Sequence, residues 1–340
     1  VPGIAVSMGD PGGIGPEVIV KALRDEKLRD RAGYRLLGLG SVLASACERT
    51  GVTPFWTRVP FADEVELPGG PGVVLIDYEP GFVKACDWPH APNKGGGLIS
   101  RRFVDDAVSM AGAPADHPAH ADAIVTGPIS KEAWRLANRG SFTAHTELLA
   151  SRFRAERVGM LFDSPSLRVI LATIHIPLNE IRNELTIGKV FDAIDLGHEA
   201  CRRMGMERPK IAVCGLNPHA GEFGMLGDEE TRLITPAIEV ACENGIDASG
   251  PFPGDTIFNA AVAGKYDLVV AMYHDQGLIP VKLLHRDCAV NMTVGLPTVR
   301  TSPDHGTAFD IAGTGTAHAG SMRAAIELAL RLTEREAAER

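Results

Sequence analysis

His175, His219 and His274 each stand just past an apolar run of strand length, in Leu-Ala-Thr-Ile-His175, Cys-Gly-Leu-Asn-Pro-His219 and Val-Ala-Met-Tyr-His274. Loops leaving the carboxyl ends of parallel strands form the ligand crevice of an α/β protein. Three imidazoles delivered there could bind one metal ion. Neutral imidazole is the commonest side-chain ligand for zinc and suits other first-row metals, and three of them with positions left open describe a catalytic site. For any one histidine, a satisfied polar group at a strand end is an equally good account. Three in equivalent topological positions shift the balance toward a metal. Asp275, next to His274, could orient an imidazole or handle a proton. The spacings fit no local metal motif, so the set depends on the fold to assemble it.

Four other clusters carry potential chemistry. Met8-Gly9-Asp10-Pro11-Gly12-Gly13-Ile14-Gly15-Pro16-Glu17 follows a strand and opens a helix, with Pro16 suited to the first helical position. It is neither a G-x-G-x-x-G fingerprint nor a Walker loop. A tight strand-to-helix turn and a glycine-lined anion contact at a helix start are equal readings. In Phe142-Thr143-Ala144-His145-Thr146-Glu147, Thr143 could cap a helix with Thr146 or Glu147 reaching back, or the imidazole and hydroxyl could meet a carboxylate or phosphate. Lys282, Asn291 and Arg300 spread over a strand and its flanks. An isolated Lys or Arg is usually solvated. Here Lys282 follows Pro280-Val281 in an apolar setting and Arg300 precedes a turn-rich loop, and burying either is costly unless it meets an anion. That loop, Thr301 to Gly313, reads on physics alone as a Gly-rich surface turn.

Short apolar runs alternate with longer helical patterns, which predicts βαβ units and a mainly parallel sheet. Strands are expected at 4–8, 35–39, 73–76, 123–126, 167–174, 210–214, 268–272 and 289–293. Helices are expected near 16–23, 41–49, 100–111, 131–137, 188–204, 229–243 and 321–336. The last carries Met322, Ala325, Ile326, Ala329 and Leu330 on one face, the signature of a helix packed on the body. The Pro- and Gly-rich stretch 52–93 is expected to be surface excursions around one strand. Crossovers between domains are expected at 126–130 and near Arg300, giving 1–128 plus 300–340 as one domain and 129–299 as the other.

The 340 residues carry a formal net charge of -9, which argues against a nucleic-acid surface because phosphate backbones reward basic patches. A small basic pocket for one phosphorylated metabolite remains compatible. The six cysteines include no C-x-x-C pair, the pattern of a reduced cytoplasmic setting. No run of about 18 uninterrupted apolar residues predicts a membrane span. The chain starts at Val1, which leaves a short targeting segment open.

Six motifs in order resemble the 4-hydroxythreonine-4-phosphate dehydrogenase family of vitamin B6 biosynthesis. They are Gly9-Asp10-Pro11 through Glu17, Thr126-Gly127-Pro128, His145-Thr146-Glu147, Asn217-Pro218-His219-Ala220-Gly221-Glu222, Ala271-Met272-Tyr273-His274-Asp275-Gln276-Gly277, and Arg300-Thr301-Ser302 through Ala308. The resemblance implies the two-domain α/β/α fold of the isocitrate and isopropylmalate dehydrogenases, with the cleft between domains. It implies His175, His219 and His274 as metal ligands, zinc first and manganese, cobalt or magnesium as alternatives. His145, Thr146, Lys282, Asn291 and Arg300 would contact a phosphorylated substrate. His305, Gly306, Thr307, Ala308 and Asp310 resemble the loop that holds the adenosine half of NAD in decarboxylating dehydrogenases, NADP being the alternative. The family is homodimeric, with His274 completing the partner's site. The implied reaction is oxidation at C3 followed by decarboxylation, with Lys282, Asp255 and Asp275 as proton-transfer candidates.

Ala144 stands where the family usually has Gly, and Gly12 where Ala is usual. Gly227 to Arg232, Ile279 to Leu284 and Thr307 to Ala312 look more like the branch acting on 4-phospho-D-threonate or 4-phospho-D-erythronate. A branch acting on aromatic dihydrodiols fits less well, because Lys282, Asn291 and Arg300 are retained. A three-histidine metallohydrolase or lyase is the alternative from another class, and a metabolite-binding protein without catalysis is a further one.

Overall fold

A computed structural model describes residues 1–62, 67–80, 88–137, 142 and 144–339. The chain divides into two compact units, 1–155 with 296–340, and 156–295. The first division falls after the helix at His145–Phe153, beyond the expected crossover at 126–130. Helices at Lys131–Ala137 and His145–Phe153 both pack on the helix at Lys94–Ala111, which ties them to the first unit.

In the first unit, β1 (Gly3–Ser7), β2 (Gly33–Gly38), β3 (Trp56–Pro60), β4 (Gly72–Asp77), β5 (Ala123–Thr126) and β12 (Val299–Pro303) form an all-parallel run. Its order is β3-β4-β2-β1-β5-β12. Helices α1 (Gly15–Leu23), α2 (Glu26–Arg29), α3 (Gly40–Thr50), α4 (Lys94–Ala111), α5 (Lys131–Ala137), α6 (His145–Phe153) and α12 (Gly320–Glu339) belong to the same unit. Parallel strands covered on both faces are buried throughout, and β1 and β5 are apolar runs for that reason. β12 is equally buried yet reads Val-Arg-Thr-Ser-Pro. Its polarity hid it from the apolar-run criterion. The stretch 52–93 holds two strands, β3 and β4, paired in parallel, not the single strand expected.

In the second unit, β6 (Gly159–Asp163), β7 (Val169–Leu171), β8 (Ile211–Cys214), β9 (Ala248–Phe252), β10 (Leu268–Ala271) and β11 (Val290–Val294) lie in the order β11-β6-β7-β10-β8-β9. β6 runs antiparallel to both neighbours, and β7, β10, β8 and β9 are parallel. Helices α7 (Ile181–Glu184), α8 (Ile187–Arg203), α9 (Thr235–Glu243), α10 (Ile257–Val262) and α11 (His274–His285) complete the unit. A core of Phe162, Val169, Leu171, Val269, Leu278 and Val281 joins α11 to the sheet.

α11 is not among the expected helices, and it runs through Gly277 and Pro280. Gly277 is a packing requirement: a Cβ there would stand 2.7 Å from Val169 Cγ1 and 2.8 Å from Leu171 Cδ2. No helix among the described residues is long and apolar enough to cross a membrane.

Candidate functional site

In the first unit, the Gly9–Glu17 segment and Thr126-Gly127-Pro128 meet backbone to backbone. Asp10 N donates to Pro128 O at 2.9 Å and Gly127 N to Ser7 O at 2.8 Å. A Cβ on Gly127 would lie 2.5 Å from Met8 O, so only glycine fits this approach.

Thr126, at the end of β5, accepts a 2.6 Å hydrogen bond from Arg300 Nη2, and Arg300 is 1 % exposed on β12. Burial pulls its guanidinium down to about 9, which leaves it a full cation at neutral pH. His145 stands at the first position of α6, with its ring edge-on to Trp134 at 5.4 Å. Trp134 is itself fixed by Nε1 donating to Ser100 Oγ at 3.0 Å. Burial first, then the charges of Arg300 and Lys131, hold His145 well below the ordinary histidine value. The ring is therefore neutral, and its buried Nε2 has no hydrogen-bond partner. An orphaned imidazole nitrogen beside a buried cation is an arrangement that an anion would complete. The expected cap Thr143 lies outside the described residues; the N-cap is Ala144, with no side-chain bond, and Thr146 is half-buried one position beyond His145.

The 304–317 loop is lashed to α1. Ile14 N donates to Thr307 O at 2.9 Å, and Glu17 accepts from Ala317 N at 2.7 Å and Gly315 N at 3.2 Å. Lys21 Nζ, paired with Glu17, donates to Gly315 O at 2.8 Å and Ala317 O at 2.7 Å. Ala308 takes a left-handed φ of 40°, and His305, Gly306, Thr307 and Asp310 are half-buried or exposed around it. Beside this loop is a cavity of about 370 Å³ bordered by Pro11, Gly13, Glu17, Arg49, His90 and Gly313. Glu17 appeared in the sequence only as part of a motif, and its role as the loop's anchor emerges here.

Asp10 is fully buried, and one carboxyl oxygen accepts from Gly12 N at 3.0 Å. Burial raises its pKa from 3.8 to about 6, the Gly12 bond opposing. The folded chain thus holds a proton that the unfolded chain has lost between those values, and stability falls as pH rises through that window. Asp10→Asn keeps the acceptor for Gly12 and removes the buried charge. It is expected to stabilise the protein by about 3 kcal/mol at pH 7.5, the gain vanishing near pH 4. Denaturant melts at the two pH values read this directly.

In the second unit, β7, β10 and β8 are adjacent and parallel, so the loops bearing His175, His274 and His219 leave one sheet edge as expected. His175 and His274 have ring centroids 5.6 Å apart. His274 Nδ1 lies 2.7 Å from Asp275 Oδ1, the kind of carboxylate contact that orients an imidazole. That donor chemistry fits a divalent ion. Among the described residues no group of three His, Cys, Asp or Glu converges on one point.

His219 is exposed and opens a left-handed run, with φ of 53°, 52°, 81°, 44° and 58° from His219 to Phe223. Four of these five residues carry a Cβ, and left-handed backbone costs about 1–2 kcal/mol for each such residue. The run is held from Glu230, which is 4 % exposed and accepts from Leu216 N at 2.8 Å and from Asn217 N at 2.7 Å. Asn217 Nδ2 also donates to Glu229 at 2.8 Å and Glu230 at 2.9 Å.

Lys282 is exposed on α11, so the expected apolar burial of its amine does not occur within one chain. Its helix presents Ile279 and Leu283 to the outside, 65 % and 82 % exposed. Asn291 is half-buried on β11, and Asp255 and Asp275 are exposed.

A family model described as pyridoxal phosphate biosynthetic protein PdxA matches residues 83–329. The chain is 43 % identical over 329 residues to the 4-hydroxythreonine-4-phosphate dehydrogenase of Geobacter metallireducens, covering 96 % of this chain and 94 % of that one. It is 41 % identical to the D-threonate 4-phosphate dehydrogenase of Salmonella typhimurium, covering 97 % and 98 %. The crystal structure of a 4-hydroxythreonine-4-phosphate dehydrogenase from Klebsiella pneumoniae superposes with a TM-score of 0.81 at 38 % identity, covering 98 % of this chain and all 100 % of that one. A β-decarboxylating dehydrogenase from Thermococcus kodakarensis aligns with a TM-score of 0.51 at 15 % identity, covering 97 % and 83 %, a likeness of fold alone.

Proposed function

Because the chain belongs to the PdxA family of pyridoxal phosphate biosynthetic proteins, we propose that it is an NAD-dependent, metal-dependent dehydrogenase of a phosphorylated four-carbon hydroxy acid. It oxidises 4-hydroxy-L-threonine 4-phosphate at C3 and the product decarboxylates; 4-phospho-D-threonate or 4-phospho-D-erythronate is the alternative substrate. The observation that carries the phosphate is the neutral His145, with its buried unpartnered Nε2, beside the buried cation Arg300. A phosphate accepts from several donors at once and would complete the buried Nε2 of His145.

His145, Thr146 and Arg300 hold the phosphate, with Lys282 and Asn291 as further contacts. His305 to Asp310 hold the adenosine half of the dinucleotide, a role that suits a loop anchored at both Thr307 and Ala317. NADP is the alternative cofactor. The ligands His175, His219 and His274 suit zinc first, with manganese, cobalt or magnesium as alternatives. When bound, the dinucleotide accepts a hydride and the ion acts as Lewis acid toward the alcohol and the β-keto acid. Asp275 orients His274 and is thereby drawn away from proton transfer, which leaves Lys282 and Asp255 as the proton carriers.

The site is shared across a homodimer. Exposed apolar side chains lie beside the histidine loops: Ile279 and Leu283 on the helix that starts at His274, and Phe223 and Met225, 103 % and 81 % exposed, just after His219. Such side chains are the material of a subunit interface. A cytoplasmic location suits the free cysteines Cys47, Cys201, Cys214, Cys242 and Cys288.

The test is NADH formation by metal-loaded protein on the three phosphorylated acids, with and without a chelator. Turnover on one of them that falls at least a hundredfold with chelator is expected. NAD-independent hydrolysis would favour the metallohydrolase reading, and no turnover on any of the three would overturn the phosphorylated substrate.

A further inference from the structure

We infer that Glu230 is a positioning residue for the metal ligands, acting through a hydrogen-bond network that runs to all three histidine loops; the inference rests on the metal reading above. Glu230 accepts from Leu216 N and Asn217 N, and its second oxygen accepts from Asn217 Nδ2. Gly215, next to Leu216, gives its carbonyl to Gln276 Nε2 at 2.8 Å. Gln276 Oε1 in turn accepts from Met272 N at 2.7 Å, and Met272 O accepts from Thr173 Oγ1 at 2.6 Å. Asn217, Met272 and Thr173 each stand two residues before a histidine, His219, His274 and His175 respectively. The network therefore holds the chain two residues before each ligand, through the backbone at Asn217 and Met272 and the hydroxyl of Thr173.

Several observations separate this from ordinary packing. Glu229 and Glu230 are adjacent buried carboxylates that both accept from Asn217 Nδ2, and Glu229 also pairs with Arg182 at 3.4 Å. Their Asn217 contacts converge just before the left-handed run that carries His219. Gly221, inside that run, has no room for a side chain, since a Cβ would lie 2.6 Å from Glu230 Oε2. Glu230 also opens a π-helical turn, Glu230–Ile234, a distortion found most often at functional sites. Orienting groups behind metal ligands commonly change affinity ten- to a hundredfold when altered.

The experiment measures Co²⁺ affinity by visible absorption and chelator competition on the intact protein, with melting temperature recorded separately. The variants are Glu230→Gln, Thr173→Val, and Glu207→Gln as an exposed-carboxylate control. In Glu230→Gln one amide oxygen still accepts from the two backbone N–H groups, but its NH₂ is turned on Asn217 Nδ2. The expected result is a ten- to hundredfold weaker Co²⁺ affinity in folded Glu230→Gln, with turnover restored by excess Co²⁺. Thr173→Val should weaken affinity severalfold, and Glu207→Gln should match wild type. A lowered melting temperature with unchanged affinity would make Glu230 merely structural and overturn the inference. Should Glu230→Gln fail to fold, wild-type affinity in Thr173→Val overturns it. Absence of Co²⁺ binding by the wild type would overturn the metal reading itself, and the inference with it.

Discussion

Arg300→Met is expected to lower kcat/KM for the phosphorylated substrate by about a thousandfold, most of it in KM, because removing one partner of a buried charge pair costs about 2–5 kcal/mol. Arg300 has no freedom to be replaced by a neighbour. It sits on a strand 1 % exposed and is pinned to Thr126 Oγ1, so a shorter or apolar side chain leaves the phosphate facing His145 without its fixed cation. Arg300→Lys keeps the charge but loses the planar fork, and should recover only part of the loss. The decisive control is the same hydroxy acid without its phosphate. Wild type and Arg300→Met should process it within a few-fold of each other, since the missing interaction is absent from both. An equal loss on both substrates would place Arg300 at the reacting end of the molecule and overturn the phosphate assignment.

Mixing two inactive variants, His219→Ala and His274→Ala, should restore about a quarter of wild-type activity after subunit exchange. Each variant alone lacks a ligand in every site. If sites draw ligands from both subunits, half the dimers are mixed, and each mixed dimer rebuilds one intact site of its two. The same experiment with His175→Ala and His274→Ala then reads which histidines share a chain. These two have ring centroids 5.6 Å apart within one chain. Recovery in both mixtures places His274 in the partner's site, whereas recovery only with His219→Ala makes His175 and His274 a pair from one subunit. No recovery in either mixture would overturn the shared site.

The strand ends bearing the three histidines were legible because buried parallel strands are written as apolar runs; β8 and β10 stand close to their expected bounds, while β7 is shorter than the expected 167–174. β12 was illegible because Arg300, Thr301 and Ser302 break the apolar pattern of a buried strand. α11 was not among the expected helices; Gly277 within it is a close contact with Val169 and Leu171 that no spacing in the sequence announces. The placement of the three histidine loops along one sheet edge was readable from the sequence, but no spacing rule says whether the three rings converge. Glu230 and Thr173 left the weakest trace. Hydrogen bonds to backbone groups far along the chain have no spacing rule.

The discontinuous first unit also sets an order of events during synthesis. β5 receives its parallel neighbour β12 only when residues 299–303 have emerged, and α12 follows later still. Residues 156–295 are by then complete, so the second unit closes on the ribosome while the first still carries an open strand edge. An unpaired edge beside apolar strands is a template for wrong pairing. The nascent chain is therefore most vulnerable to aggregation in the interval between the end of β5 and the arrival of β12. Slow codons or a ribosome pause in that stretch would lower the yield of folded protein without changing one residue of it.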